Sequence, residues 1–254
     1  MSKNVRDPAV AGMFYPADPD GLRRMVNEFL AAVPARDGTS PKAIIAPHAG
    51  YIYSGPIAAS AYACVRPEAI RRVVLLGPSH RVSLNGAAAS SASAWHTPLG
   101  DVPVEAPAGL AVIDAAHTQE HCLEVQLPFL QVVLGEFTLI PLVVGRAAKE
   151  EIADILASLW GGAETLIVIS SDLSHYEDYE TAGRMDSAAS QAIVNLDPCG
   201  LDENSACGRV PIRGLLHLAK QKGMRAEQVD LRNSGDTAGS HDQVVGYGAY
   251  TFYE

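Results

Sequence analysis

The chain has 254 residues, of which 48% are hydrophobic and 19% charged, enough apolar surface for a full core and too much for a disordered polymer. Its formal net charge of −10 comes without a lysine or arginine cluster tracking one face, which excludes the basic stripe of a nucleic-acid-binding protein. No apolar run reaches the ~18 residues of a membrane span, and Met1 to Pro16 lacks the pattern of a secretory signal, so no membrane partner and a cytoplasmic location are expected.

Strands and helices alternate along the chain. Lys42 to Ala46 (KAIIA) is a short apolar, β-branched run, followed by a small-residue helical stretch from Ser54 to Val65. Arg72 to Leu76 (RVVLL) is the next strand, and Ser83 to Ala116, rich in Ala, Ser and Pro, reads as an excursion of extra strands and loops. Phe137 to Val144 (FTLIPLVV) predicts a strand, and Lys149 to Trp160 an amphipathic helix stopped by Gly161-Gly162. Thr165 to Ser170 (TLIVIS) predicts a fourth buried strand, then a long helix covers Tyr179 to Leu196 and another opens at Pro211. Gly246 to Tyr253 (GYGAYTFY) is an alternating strand, read as a sheet edge free to pair. Continuous apolar strands separated by helices of this size predict a three-layer α/β/α fold with a mainly parallel central sheet. With no repeat, linker or composition break, residues 1–254 read as a single domain.

Three of these strands end alike. KAIIA runs into Pro47-His48, RVVLL into Gly77-Pro78-Ser79-His80, and TLIVIS into Ser171-Asp172-Leu173-Ser174-His175. A lone loop histidine is ordinarily a surface residue. Three delivered past the carboxyl ends of parallel strands are expected to share the sheet edge where such folds place ligands. Imidazoles with a carboxylate or thiolate nearby suit a first-row transition metal or proton transfer. Asp172 serves there as ligand, orienter or base, or else caps the turn from Leu173 to Tyr176.

Cysteine supplies the other candidate. The four cysteines carry no Cys-x-x-Cys pair and are expected as free thiols in a reducing compartment. Cys207 precedes the helix that Pro211 opens, with Arg209 close by, so its pKa is expected to be lowered, which suits a ligand or a nucleophile. Cys64 and Cys199 read as buried and inert. In Glu120 to Pro128, Glu120 and Glu124 would share a helix face, and His121 is the best candidate for a pocket role. His96, His117, His217 and His241 lack comparable context, and His217, among leucines, reads as structural. Tyr51, Tyr53, Trp95 and Tyr176 are expected as pocket walls, favouring a planar ligand.

Six runs occur in order: Ala11 to Pro16 (AGMFYP), Ile45 to Tyr51 (IAPHAGY), Gly77 to His80 (GPSH), Glu120-His121 through Leu127-Pro128, Ser170 to His175 (SSDLSH) and Cys207 to Arg209 (CGR). Together they resemble the Memo family, also known as the AmmeMemoRadiSam system protein B family. The resemblance implies a fold similar to class III extradiol dioxygenase B-type subunits, non-haem iron enzymes that open catechol rings. It implies His48, His80 and Cys207 as metal ligands and His175 as an acid/base residue. Iron (Fe2+) is the metal expected from it, with copper or zinc as alternatives. One departure matters: the dioxygenases complete their site with a carboxylate where this chain has the softer, oxidisable Cys207, so ring opening does not follow from the fold. Another is Cys122, where relatives typically carry serine.

Three functions fit these residues. The first is a dioxygenase-like metal-dependent oxidoreductase in which His175 moves protons and Asp172 or His121 orients it. The second is a hydrolase or transferase with Cys207 as nucleophile. The third is an accessory component binding a metal, small molecule or peptide, with radical-SAM pathway companion proteins as the partners that the resemblance suggests.

Overall fold

The computed structural model describes residues 4–36 and 38–254. In chain order its elements are β1 (Val5–Arg6), α1 (Pro19–Ala32), β2 (Ala43–Ala46), α2 (Tyr51–Tyr62), β3 (Arg72–Pro78), β4 (Ala87–Ala89), β5 (Ala94–Thr97), β6 (Gly100–Pro103), β7 (Ala111–Val112), α3 (Ala115–Thr118), α4 (Leu127–Leu134), β8 (Thr138–Val144), α5 (Lys149–Leu159), β9 (Thr165–Ser170), β10 (His175–Glu177), α6 (Tyr179–Val194), α7 (Arg209–Gln221), β11 (Arg225–Asn233) and β12 (Val244–Tyr253). The main sheet is open, in the order β10-β12-β2-β9-β3-β8-β4-β7, with β11 also paired to β12.

Each central strand is buried on both faces, as its unbroken apolar sequence requires. Alternate side chains therefore go to two cores. Ile44, Val73, Leu75, Leu166 and Val168 pack against α1, α2 and α4. Ile45, Val74, Leu76, Ile167 and Ile169 pack against α5, α6 and α7. The result is the expected three-layer α/β/α arrangement.

The expectation of a mainly parallel sheet holds only at its centre. β2, β9, β3 and β8 are mutually parallel, whereas β12 runs antiparallel to β2 and β4 antiparallel to β8. Connection length explains this, because a parallel return needs a long crossover. β4 starts near the edge where β3 ends, and β12 follows β11 through a short loop, so both run back. β12 is consequently flanked by β2, β10 and β11 and is not an edge strand.

Element boundaries differ little from expectation. β9 is as read, α6 stops at Val194, and α7 begins at Arg209, which puts Pro211 in its first turn. The irregular 83–116 region resolves into β4 to β7 and α3, with β5 and β6 joining β1 in a separate three-stranded sheet.

Candidate metal centre

The carboxyl ends of β2, β3 and β9 carry the site. β2 leads into Pro47-His48, β3 into Ser79-His80, and β9 into Ser171-Asp172. Cys207 arrives from the start of α7 and is held against β9 by its neighbour Gly208. The Gly208 amide donates to Ser171 Oγ at 2.9 Å, and a Cβ at Gly208 would stand 2.6 Å from the Ser171 Cβ. Only glycine allows that approach. Gly77 does the same for the other wall, where a Cβ would lie 2.7 Å from Cys122 Sγ.

His48, His80 and Cys207 each bring one donor atom, and these atoms lie within 4.8 Å of one another. Hydrogen bonding fixes which imidazole nitrogens are free. Ser170 Oγ donates its single proton to the Cys122 carbonyl at 2.6 Å, so His48 Nδ1, 2.9 Å from that oxygen, must be the donor to it. The lone pair of His48 is then on Nε2, which faces Cys207 Sγ at 3.4 Å. His80 Nδ1 lies 2.9 Å from Glu120 Oε1 and donates to that carboxylate, which leaves Nε2 as the nitrogen open to the site. Glu120 further accepts from the amides of His80 (2.7 Å), His121 (2.9 Å) and Cys122 (3.2 Å).

The remaining sequence candidates fall around this core. His121 stacks on His80, ring centroids 4.8 Å apart, and meets His48 edge-on at 5.4 Å. Asp172 accepts from the His48 amide at 2.7 Å. It does not cap the turn at 173–176, where the chain instead enters β10. The Asp172 amide in turn donates to Cys207 Sγ at 3.3 Å. His175, at the start of β10, lines a cleft of about 170 Å³ together with Cys207.

Burial governs the charge states. It pushes the His48 imidazole well below its usual range, helped by repulsion from His80, and it lowers His121 to about 4. Both rings are therefore neutral near pH 7, the form that binds metals. Burial alone would raise Glu120, but the hydrogen bonds and charge of His80 outweigh it and hold the carboxyl down to about 2. The expected lowering of Cys207 is reversed: burial, with the nearby Asp172 charge, pushes the thiol up to about 12. Arg209 does not offset this, because its guanidinium turns towards Glu203 at 3.3 Å.

Other expectations are corrected by position. Glu120 and Glu124 do not share a helix face, since Glu120 lies in the irregular link after α3 and Glu124 turns to Arg6 and Tyr15. Trp95 packs under the Arg6 guanidinium and against His117, in the small sheet rather than in the pocket wall. Tyr51 is buried with its hydroxyl on the Val125 carbonyl, and Tyr176 is 70% exposed. Cys199 is exposed, not buried, while Cys64 is buried as expected. Sequence reading missed Ser170 and Glu120 as the groups that orient the histidines, and Phe14, whose ring lies 5.0 Å from His121. Ser170 was signalled only by being the one polar residue at the end of an apolar strand.

Similarity to known proteins extends over nearly the whole chain. A family model described as "Memo-like protein" matches residues 6–251. A MEMO1 family protein of Ignicoccus hospitalis is 38% identical, with 98% of each chain covered. One from Archaeoglobus fulgidus is 37% identical over 98% of this chain and 99% of its own, and one from Aquifex aeolicus is 38% identical over 96% and 97%. Relatives this similar along nearly the whole length, together with the matching family model, mean that the chain belongs to the Memo family.

Proposed function

We propose that His48, His80 and Cys207 hold a first-row transition metal, with iron as the expected ion and copper or zinc as alternatives, and that the site serves oxidoreductase chemistry. The observation that carries this reading is the convergence of three donor atoms within 4.8 Å, with the Nδ1 of both imidazoles engaged by Ser170 and Glu120. Two imidazoles and one thiol fit a divalent cation, and the groups on their Nδ1 atoms fit the outer support such ligands ordinarily have. When bound, the metal supplies Lewis acidity and a redox couple.

The chain's own residues do the rest. Cys207 gives up its thiol proton on loading, and the Asp172 amide, already aimed at Sγ, stabilises the resulting thiolate. Ser170 and Glu120 keep His48 and His80 in one tautomer and one orientation. His175, beside Cys207, holds or moves a proton at the edge of the centre, with Asp172 or His121 orienting it. A thiol held up to about 12 is a poor nucleophile at neutral pH, which weighs against the cysteine-hydrolase reading.

Metal analysis of anaerobically purified protein tests the proposal. Near-stoichiometric metal in the wild type, lost in His48→Ala, His80→Ala and Cys207→Ser, is expected, with one proton released per ion bound as the thiol ionises. Absence of saturable binding of iron, copper and zinc overturns the metal reading. Iron binding without oxygen uptake across a panel of catechol-like compounds overturns the dioxygenase version of the chemistry.

A further inference from the structure

Arginines distant in sequence meet at the mouth of this centre. Arg81 follows His80, and Arg209 lies two residues after Cys207. Arg146 lies just past the end of β8, the one central parallel strand that brings no histidine or aspartate to this edge. Together with His80 and Cys207, these three line a cleft of about 480 Å³. Arg146 and Arg209 also line an adjoining cleft of about 300 Å³, together with Arg213 and Lys149.

Little in the chain neutralises them. Among the described residues, Arg81, Arg146 and Arg213 form no ion pair, and Arg209 meets only Glu203, whose side chain is 86% exposed. Glu150, which also lines the smaller cleft, is taken by Lys149 at 2.8 Å. The Nε of Arg213 is buried without a hydrogen-bond partner. The chain carries −10 overall and would repel an anion, so a basic mouth at this one place inverts the field where a ligand approaches.

We propose that this double cleft is an anion subsite, in which Arg146, Arg209 and Arg213 hold a carboxylate or phosphate group of the substrate while its reacting end reaches His80 and Cys207. The planar guanidinium fork suits either oxyanion. The subsite rests on the metal-centre reading only for what happens at the reacting end.

Calorimetric titration of the full chain tests it. Inorganic phosphate and benzoate are titrated separately, at low ionic strength, into metal-free and iron-loaded protein. Saturable binding of at least one anion is expected in both states, weakened about tenfold by Arg146→Gln or Arg213→Gln, the size of one charge-assisted hydrogen bond, with metal content unchanged. Arg146→Lys and Arg213→Lys keep the charge, and an intermediate affinity from them separates anion recognition from a folding defect. Tighter phosphate assigns a phosphoryl group to the substrate, and tighter benzoate a carboxylate. No saturable binding, or an affinity unchanged in the double glutamine variant, overturns the subsite. Iron binding without anion binding overturns this proposal alone. Anion binding through Arg146 and Arg213 in a chain that binds none of iron, copper and zinc keeps it and overturns the metal centre.

Discussion

Glu120 and Glu124 stand four residues apart on one short segment, both buried and both surrounded by donors, yet they belong to different parts of the molecule. Glu124 accepts from the Arg6 guanidinium (2.8 Å), the amides of Ala9 (2.7 Å) and Val10 (2.9 Å) and the Tyr15 hydroxyl (2.7 Å). None of those donors leads on to an imidazole of the site: the Arg6 guanidinium continues only to backbone carbonyls, among them those of His117 (2.8 Å) and Glu120 (2.6 Å). The cluster ties the N-terminal segment to the body, and nothing is left to face a ligand. Glu120 also receives three amides, but its fourth donor is the His80 ring, which has a second nitrogen pointing onward. A buried carboxylate whose partners reach only backbone is structural; one that holds a bifunctional imidazole passes its charge on to a site.

That contrast can be broken most forcefully on the structural side. Glu124→Gln strands the Arg6 charge in a buried place, which costs about 3–5 kcal/mol. For a chain of this length the loss is read as a fall in Tm of roughly 10 °C by calorimetry. The folded variant is expected to keep its full metal content. Loss of metal at unchanged stability would mean that the two glutamates do not divide the work in this way.

Glu120→Gln acts on the other side. Losing the charge that orients His80 is expected to weaken metal affinity about 10- to 100-fold, measured by competition with a chromophoric chelator. Its effect on Tm is expected to be smaller than that of Glu124→Gln. An unchanged affinity would show that His80 needs no such support.

Lowering the pH sharpens the comparison next, because each cluster includes a buried histidine. The His117 carbonyl accepts from Arg6 on the Glu124 side, while His121 stacks on His80 on the Glu120 side. Burial brings both rings down to about 4, against ~6.5 for an unfolded histidine. The unfolded chain therefore binds more protons across that interval, and stability rises with pH through it. Metal-free protein should keep this contribution above pH ~6.5 and lose a few kcal/mol as pH falls towards ~4. Glu120, held to about 2, adds its own loss only below pH ~4.3, the ordinary glutamate value. Urea midpoints that stay flat between pH 6.5 and 4 would contradict the neutral state of these rings.

The smallest effect is expected from Tyr15→Phe, which removes one of four donors to Glu124 and leaves the ion pair intact. About 1 kcal/mol is expected, read from the denaturation midpoint. A loss as large as that of Glu124→Gln would make the tyrosine, not the arginine, the centre of the cluster.

These two clusters also mark what sequence reading reaches. Strands such as TLIVIS and the histidines at their ends are legible because burial on both faces leaves an unbroken apolar run, and the run's end fixes where the next polar residues emerge. The roles of Glu120 and Glu124 are not legible, because a four-residue spacing suggests one helix face while the chain at Glu120 is not helical. The charge state of Cys207 was misread for a related reason: a nearby arginine lowers a thiol only when it faces the sulfur and water is present, and here Arg209 turns away while burial dominates. The antiparallel flanks of the sheet follow from loop lengths, which strand patterns do not encode. The arginines at the cleft mouth are likewise invisible as a cluster along the chain and are gathered only by the carboxyl edge of the sheet.

The most direct test of the account is X-ray absorption at the metal edge of protein loaded with iron and, separately, with zinc. One sulfur and two imidazole nitrogens are expected in the first shell, with the zinc–sulfur distance near ~2.3 Å, and the sulfur should vanish in Cys207→Ser. A shell of nitrogen and oxygen only, unchanged in Cys207→Ser, would contradict the assignment of Cys207 as a ligand and with it the centre proposed here.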